Sequence, residues 1–300
     1  MTTPLSYTTA EDILVKARNE FKKCNGSFLN IIDIAKPATI EEAKILVKIV
    51  SKLSPLLGNM IEFSTVRILN GIDWGGLGFW MRQDPGFPDA LFSSSYFDAR
   101  PGIEIKAWFP LATEISARFK DSEEAFRKEN IDMALVVWLP ENIIWGKPKI
   151  IDTLFVRGSS VAKYRDEHYH RPPDYIILEP EDTSDRTSNL QQTNTTGYKL
   201  QKNEEAAAIE VQSWVEQDLK YSTNPSYQAK LRKLMSIGVY RSDSNYSKID
   251  RIKHPEIESF KQSILKKKIH DRTIQEWGKI LSSSDDKILE NALIPLMNIK

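Results

Sequence analysis

Seven consecutive apolar residues, Met133–Leu139, stand between Asp132 and Pro140. Strand side chains alternate between faces, so a strand with no polar break is apolar on both sides and demands cover on both. Such a segment reads as the central strand of a sheet that carries helices on each face. Helical spacing elsewhere supplies the cover: Ala10–Lys23, Thr39–Leu53 and Ser54–Asn70 repeat apolar residues at helical intervals, and Thr39, two residues after Pro37, is the expected cap of the second. A hairpin over 86–108, a helix near Ser122–Lys128, strands at Ile150–Arg157 and Asp174–Glu179, and a helical join over Gly158–His170 complete the pattern. The fold class expected is α/β, a mixed sheet of about five strands flanked by helices. No internal repeat is evident.

Within the hairpin, Pro88-Asp89 is followed by a strand reading Ile103-Glu104-Ile105-Lys106-Ala107. Alternation sends Ile103, Ile105 and Ala107 to the core and projects Glu104 and Lys106 together from the other face. Mg²⁺ is a hard cation, usually held by one or two carboxylates with waters and phosphate oxygens completing its shell. Asp89 and Glu104 are the candidate metal ligands. Lys106 is placed beside them to orient a water or to stabilise developing charge; it serves as a base only if its pKa falls well below the ordinary lysine value of roughly 10.4.

Acid-x-Lys recurs at Glu20–Lys22, Glu42–Lys44, Asp218–Lys220 and Asp285–Lys287. These four lie in stretches of helical periodicity, where residues two apart sit roughly 200° around the axis and share no site. Glu62, an acid within the apolar run 54–70, is a further candidate. A lone buried carboxylate is costly, so it pairs with Arg67 or a backbone donor, or it faces the metal site from the helix.

The order helix Glu, Pro-Asp, then Glu-x-Lys resembles the PD-(D/E)XK nuclease superfamily, and type II restriction endonucleases in particular. Gly58–Glu62 (GNMIE) with Gly102–Pro110 (GIEIKAWFP) is similar to the MutH-like branch of methyl-directed mismatch-repair nicking endonucleases. The resemblance spans roughly residues 54–180. It implies a restriction-endonuclease-like sheet, Mg²⁺-dependent hydrolysis with Asp89 and Glu104 as ligands, Lys106 beside the attacking water, and Glu62 in support. The mismatch-repair branch places its first acid only a few residues before Glu-x-Lys, which would select Asp98. Asp89 is preferred, because Asp98 falls in the Pro/Gly-bounded stretch Tyr96–Gly102 that reads as the hairpin turn.

Composition fits a soluble enzyme: no apolar run is long enough to span a bilayer, and Met1–Ala10 lacks the regions of a secretory leader, so a cytoplasmic chain without a membrane partner is expected. Cys24 is the single cysteine, which excludes an intrachain disulfide, and four histidines without suitable company do not make a zinc site. His168-Tyr169-His170 by itself does not make an HNH-type motif. With 41 basic and 41 acidic residues, the whole chain lacks the signature of a non-specific nucleic-acid coat. Charge is uneven, however: Pro225–Arg272 carries twelve Lys/Arg against five acids, enough to lie along a phosphate backbone or to form a solvated helix face.

Pro180–Asn203 is almost devoid of aliphatic residues and rich in amides and hydroxyls. It is either a connector or a reader of bases, with Arg186, Asn189, Gln191, Gln192 and Asn194 as the DNA-contacting candidates, since amides pair with adenine and Arg with guanine in the major groove. Three segments are therefore expected: a nuclease core with N-terminal helices over 1–180, a polar loop over 181–203, and a helical C-terminal lobe over 204–300 that clamps DNA or dimerises. The favoured activity is that of a type II restriction endonuclease, a homodimer cutting both strands of a double-stranded DNA site, with a cognate DNA methyltransferase as its genetic partner. The alternatives are a repair-type nicking endonuclease and a non-catalytic DNA-binding or interaction protein.

Overall fold

The structure, a computed structural model, describes residues 9–30, 32–83, 86–97, 100–112, 115–119, 126, 130–168, 178–180, 209, 213–214, 224–238, 240–242 and 248–298. The chain divides into two compact units: Met1–Ala117 with Phe126–Gly158 and Pro255–Lys300, and Arg118–Ala125 with Ser159–His254.

The first unit opens with α1 (Ala10–Lys22), α2 (Ile40–Val50) and α3 (Ser54–Asn70), and continues into β1 (Phe79–Arg82), β2 (Ala90–Ser93), β3 (Pro101–Trp108), β4 (Asn130–Pro140) and β5 (Pro148–Arg157). The strands form one sheet in the order β1-β2-β3-β4-β5; β3 and β4 are parallel and the other neighbours antiparallel. This is a mixed α/β architecture with helices flanking a five-stranded sheet.

The apolar run behaves as its sequence demands. β4 is paired on both edges, and every side chain from Met133 to Leu139 is fully buried. Each large member contributes about 1.5–3 kcal/mol from the area it removes from water.

Asp132, at the start of β4, is fully buried as well. A buried carboxylate must be paired. Arg18 of α1 donates to it from both Nε and Nη2, the latter at 2.9 Å, and Arg157 Nη1 of β5 stands 3.5 Å away. Both arginines also meet Glu11. The network ties α1 to two strands, and Phe21 packs edge-on against Phe155 beside it, with ring centroids 5.9 Å apart.

Thr39 caps α2 as expected, accepting from the Glu42 N–H, and Thr9 does the same for α1 in a reciprocal box with Asp12. The carboxamide of Asn70, the last residue of α3, exchanges two 2.8 Å hydrogen bonds with the main chain of Trp80. That clamp sets β1 against the end of the helix.

β1 was not among the expected strands; its four residues are too short for a clear alternation, and the Asn70 clamp and the ladder with β2 specify it instead. Of the expected strand Asp174–Glu179, only Leu178 and Glu179 are described, and they pair outside the central sheet. In the second unit α4 (Gly158–His168) is followed by β6 (Leu178–Pro180), α5 (Pro225–Gly238), β7 (Tyr240–Ser242) and α6 (Ile249–Ile252), and β6 pairs with β7 in a separate two-stranded sheet. Residues 174–177 lie outside the described residues, as does nearly all of the expected helix over 122–128. In this unit Arg165 is fully buried and donates to the Phe119 carbonyl at 3.0 Å, while His254 hydrogen-bonds Ser160 at 2.9 Å.

The expected lobe over 204–300 is divided. From Pro255 the chain belongs to the first unit as α7 (Pro255–Lys266), β8 (Lys268–Ile269), β9 (Arg272–Thr273), α8 (Ile274–Leu281) and α9 (Asp286–Met297). The reason is a shared core: Trp277, Leu289, Ala292, Leu293 and Leu296 bury against Ala43 of α2 and against Ile143 and Ile144 of the β4–β5 turn. Ile143 has φ 69°. A β-branched residue in this left-handed region costs roughly 1–2 kcal/mol, which its complete burial offsets. Among the described residues no helix is long and apolar enough to cross a membrane.

Replacing Asp132 with Asn should lower stability by about 3 kcal/mol, since it removes the buried charge of the network and leaves Glu11 to offset both Arg18 and Arg157. Urea unfolding monitored by tryptophan fluorescence checks this; an unchanged midpoint would show that the network is dispensable.

Candidate active site

β2 and β3 pair Leu91 with Gly102 and Ala90 with Ile103, so the next residues along the ladder are Asp89 and Glu104. There side chains take over from main chain. The Asp89 N–H donates to Glu104 Oε2 at 3.2 Å, and the Ile105 N–H donates to Asp89 Oδ2 at 2.6 Å. Pro88 explains the change, because it has no N–H with which to continue the ladder. Its ring rests on Gly102, where an added Cβ would lie 2.5 Å from Pro88 Cγ and 3.2 Å from Ile131 Cγ1. The glycine admits the proline, and the proline places the aspartate.

Alternation along β3 brings Glu104 and Lys106 together. Lys106 Nζ donates to Glu104 Oε1 and lies 3.9 Å from Asp89 Oδ2. The side chains of Asp89, Lys106 and Glu104 are 17%, 16% and 11% exposed, sheltered but open to an approaching group. Ile103 and Ile105 are buried on the opposite face. Ala107 is only partly covered, with Gly58 of α3 as its neighbour.

Glu62 is brought to the same place by α3. Its partner is neither Arg67 nor a backbone donor: Arg82 Nη2, at the end of β1, stands 3.7 Å from Glu62 Oε2. Arg82 is the site residue that sequence reasoning missed, because it lies on the strand that the pattern did not reveal.

Burial pushes the Glu104 carboxyl up to about 7, and the neighbouring Asp89 charge adds to it while Lys106 and the Asp89 N–H pull it down. Burial also raises Glu62, reinforced by Asp89 and opposed by Lys106 and Arg82. For Lys106 burial acts downward, but Glu104, Asp89 and Glu62 together outweigh it and hold the ammonium above its ordinary range. Lys106 is therefore a persistent cation in a cluster of acids.

The other acid-x-Lys pairs do other work. Glu20–Lys22 lies in α1, Glu42 accepts from Ala38 N–H at 2.8 Å while Lys44 binds Glu290 of α9, and Asp285 caps α9. Asp218–Lys220 lies outside the described residues, as do Asp98 and the candidates Arg186, Asn189, Gln191, Gln192 and Asn194.

Among the described residues no group of three or more His, Cys, Asp or Glu is arranged as a metal-holding cluster. The donor set present is two carboxylates, Asp89 and Glu104, with Glu62 nearby. Hard oxygen ligands of that number fit Mg²⁺, which completes its shell with water and phosphate oxygens. They do not fit a soft or borderline metal that seeks imidazole or thiolate. No protein-family model, curated protein or solved structure matches the chain.

Two glycine substitutions separate packing from propensity. Gly102→Ala should cost about 1–3 kcal/mol because the Pro88 ring must move. Gly58→Ala, whose Cβ meets Ala107 at an ordinary 3.8 Å, should stabilise α3 by about 0.5–1 kcal/mol. Urea midpoints of the two variants check both signs.

Proposed function

We propose that this chain is a Mg²⁺-dependent endonuclease of the PD-(D/E)XK type, with a restriction-endonuclease-like fold, that hydrolyses phosphodiester bonds in double-stranded DNA. The observation that carries the reading is the meeting of Asp89, Glu104 and Lys106 where the β2–β3 ladder ends. Elsewhere in the described residues acid-x-Lys pairs cap or cover helices. Here two acids and an ammonium share one sheltered, accessible spot.

Asp89 and Glu104 are the residues that would hold Mg²⁺. The bound ion supplies charge neutralisation at the scissile phosphate and makes an attached water more acidic. Asp89 is kept in place by the Ile105 N–H, and Glu104 by the Asp89 N–H, so both carboxylates are oriented before substrate arrives. Lys106 keeps its proton, which suits it to orient the attacking water and to offset negative charge as the water oxygen bonds to phosphorus and gives its proton to solvent, and as the leaving oxygen departs and takes a proton from solvent. Glu62 with Arg82 borders the acids from α3 and β1.

The cleavage reading extends to a type II restriction endonuclease acting in the cytoplasm. Cutting both strands of a symmetric site calls for two copies of the site, hence a homodimer. A nuclease of that kind also requires a companion DNA methyltransferase to mask the host's own sites.

The test is digestion of supercoiled plasmid with Mg²⁺, with and without chelator, and end mapping. Discrete linear fragments are expected without any partner protein, and Asp89→Ala, Glu104→Ala and Lys106→Ala should each lower the rate at least about a hundredfold while duplex binding persists. Nicked circles alone would move the reading to a nicking endonuclease. Absence of Mg²⁺-dependent cutting, or full activity of the Lys106 variant, would overturn it.

A further inference from the structure

The chain leaving β3 and the helices α7 and α8, all of the first unit, border a surface cleft of about 210 Å³. Trp108, Pro110 and Leu111 line it from the end of β3 onward, Leu265 from α7, and Ile274 and Gly278 from α8. The space is ample for a small organic molecule, since an apolar cavity of about 150 Å³ already takes benzene.

Residues of α8 line the cleft from Ile274 through Gly278 to Ser282, just past its end, and positions four apart share one helix face. From Ile274 to Ser282 is roughly 12 Å at the helical rise, so the cleft is elongated along the helix. The polar residues of its lining are Lys261, Gln275, Lys279 and Ser282, with no acid among them. Ser282 Oγ is committed to the Lys279 carbonyl at 3.1 Å. Lys279 is exposed, and among the described residues its ammonium has no carboxylate partner.

Gly278 is the informative residue of the lining. A glycine inside a helix is destabilising relative to alanine, because it has more backbone freedom to lose on folding. Packing does not impose it here: an added Cβ would meet only the Leu111 carbonyl oxygen at 3.5 Å and Leu111 Cα at 3.9 Å, both ordinary contacts. Gly278 and Leu111 both line the cleft, so a methyl group between them would fill part of it. The missing side chain keeps the cleft open at the expense of the helix.

We propose that this cleft binds a medium-chain aliphatic carboxylate, its alkyl chain lying along α8 against Trp108, Leu265 and Ile274 and its carboxylate at Lys279. An elongated, mostly apolar lining with lysines and no acid matches an unbranched amphiphile with one anionic end. A cationic ligand would meet like charge there, and a nucleobase would leave most of its polar edge unpaired. The site is independent of the cleavage reading and makes no use of Asp89, Glu104 or Lys106.

Calorimetric titration of the full-length protein with butanoate, hexanoate, octanoate and octanol tests the assignment. A single site is expected, with affinity rising about fourfold per added methylene as the chain fills the cleft, and with octanol weaker than octanoate. Lys279→Gln should weaken octanoate about 2- to 5-fold and leave octanol unchanged. Gly278→Ala should raise the urea midpoint yet weaken octanoate about tenfold, because its methyl group occupies the cleft. A stabilised protein that loses its ligand has not lost its fold. No octanoate binding by the wild type, an affinity indifferent to chain length, unchanged octanoate affinity in either variant, or a lowered midpoint for Gly278→Ala would each overturn the proposal. Plasmid cleavage bears on none of these outcomes, so the nuclease reading stands or falls separately.

Discussion

The candidate site depends on the reciprocal hydrogen bonding between Asp89 and β3. Asp89 offers its N–H to Glu104 and takes the Ile105 N–H on its own carboxylate, so the separation of the two acids is set by strand pairing. Strand pairing is stiff where a loop is not. The two carboxylates are placed by a ladder whose next members, Ala90 opposite Ile103 and Leu91 opposite Gly102, are already locked. Pro88 ends the ladder at the required residue, and Gly102 makes room for it. Two residues usually read as loop signals are here parts of a positioning device.

Two groups of charges in the first unit differ in how their acids and cations are matched. Around Asp132, two carboxylates (Asp132 and Glu11) meet two guanidinium groups (Arg18 and Arg157), and charge is balanced. Around Glu104, three carboxyl groups (Glu62, Asp89 and Glu104) meet two cations, Lys106 and Arg82, so acids outnumber cations. The consequence is visible in proton affinity: Glu104 and Glu62 are raised by burial together with the Asp89 charge, and Lys106 is raised by its acidic surroundings. Uncompensated negative charge in a sheltered place is unstable alone and favours a cation. The balanced network holds the sheet together, and the unbalanced one is left with more acids than cations.

Much of this was legible in the residue order because it follows from short-range rules. The β4 run, the Thr39 cap, α3 and the shared face of Glu104 and Lys106 all come from periodicity of 2 or 3.6 residues, which a string displays directly. What the string concealed depended on partners distant along the chain. Arg82 meets Glu62 only because the Asn70 carboxamide captures Trp80 and so forms β1. The division of the expected C-terminal lobe followed from Trp277 and Leu293 finding Ile143 and Ala43, an apolar match that periodicity announces without naming the partner. Leu178–Pro180 pairs with Tyr240–Ser242, across a separation over which sequence gives no register.

The same long-range packing connects the sheet that bears the candidate site to the C-terminal ribbon. Ile143 accepts a left-handed conformation to reach the core formed with α8 and α9, and those helices follow directly from the β8–β9 ribbon. Trp277 Nε1 donates to the Ile269 carbonyl at 2.8 Å, and Arg272 lies over the Trp277 ring at 5.5 Å, so the ribbon is tied to the helix that anchors it. The β4–β5 turn on which that helix rests joins the strand beside β3 to the strand bearing Asp152. The sheet thus carries both the acids, placed by the β2–β3 ladder, and the lysines beside β5. Their spacing is a property of the sheet, since neither is carried on an independent loop.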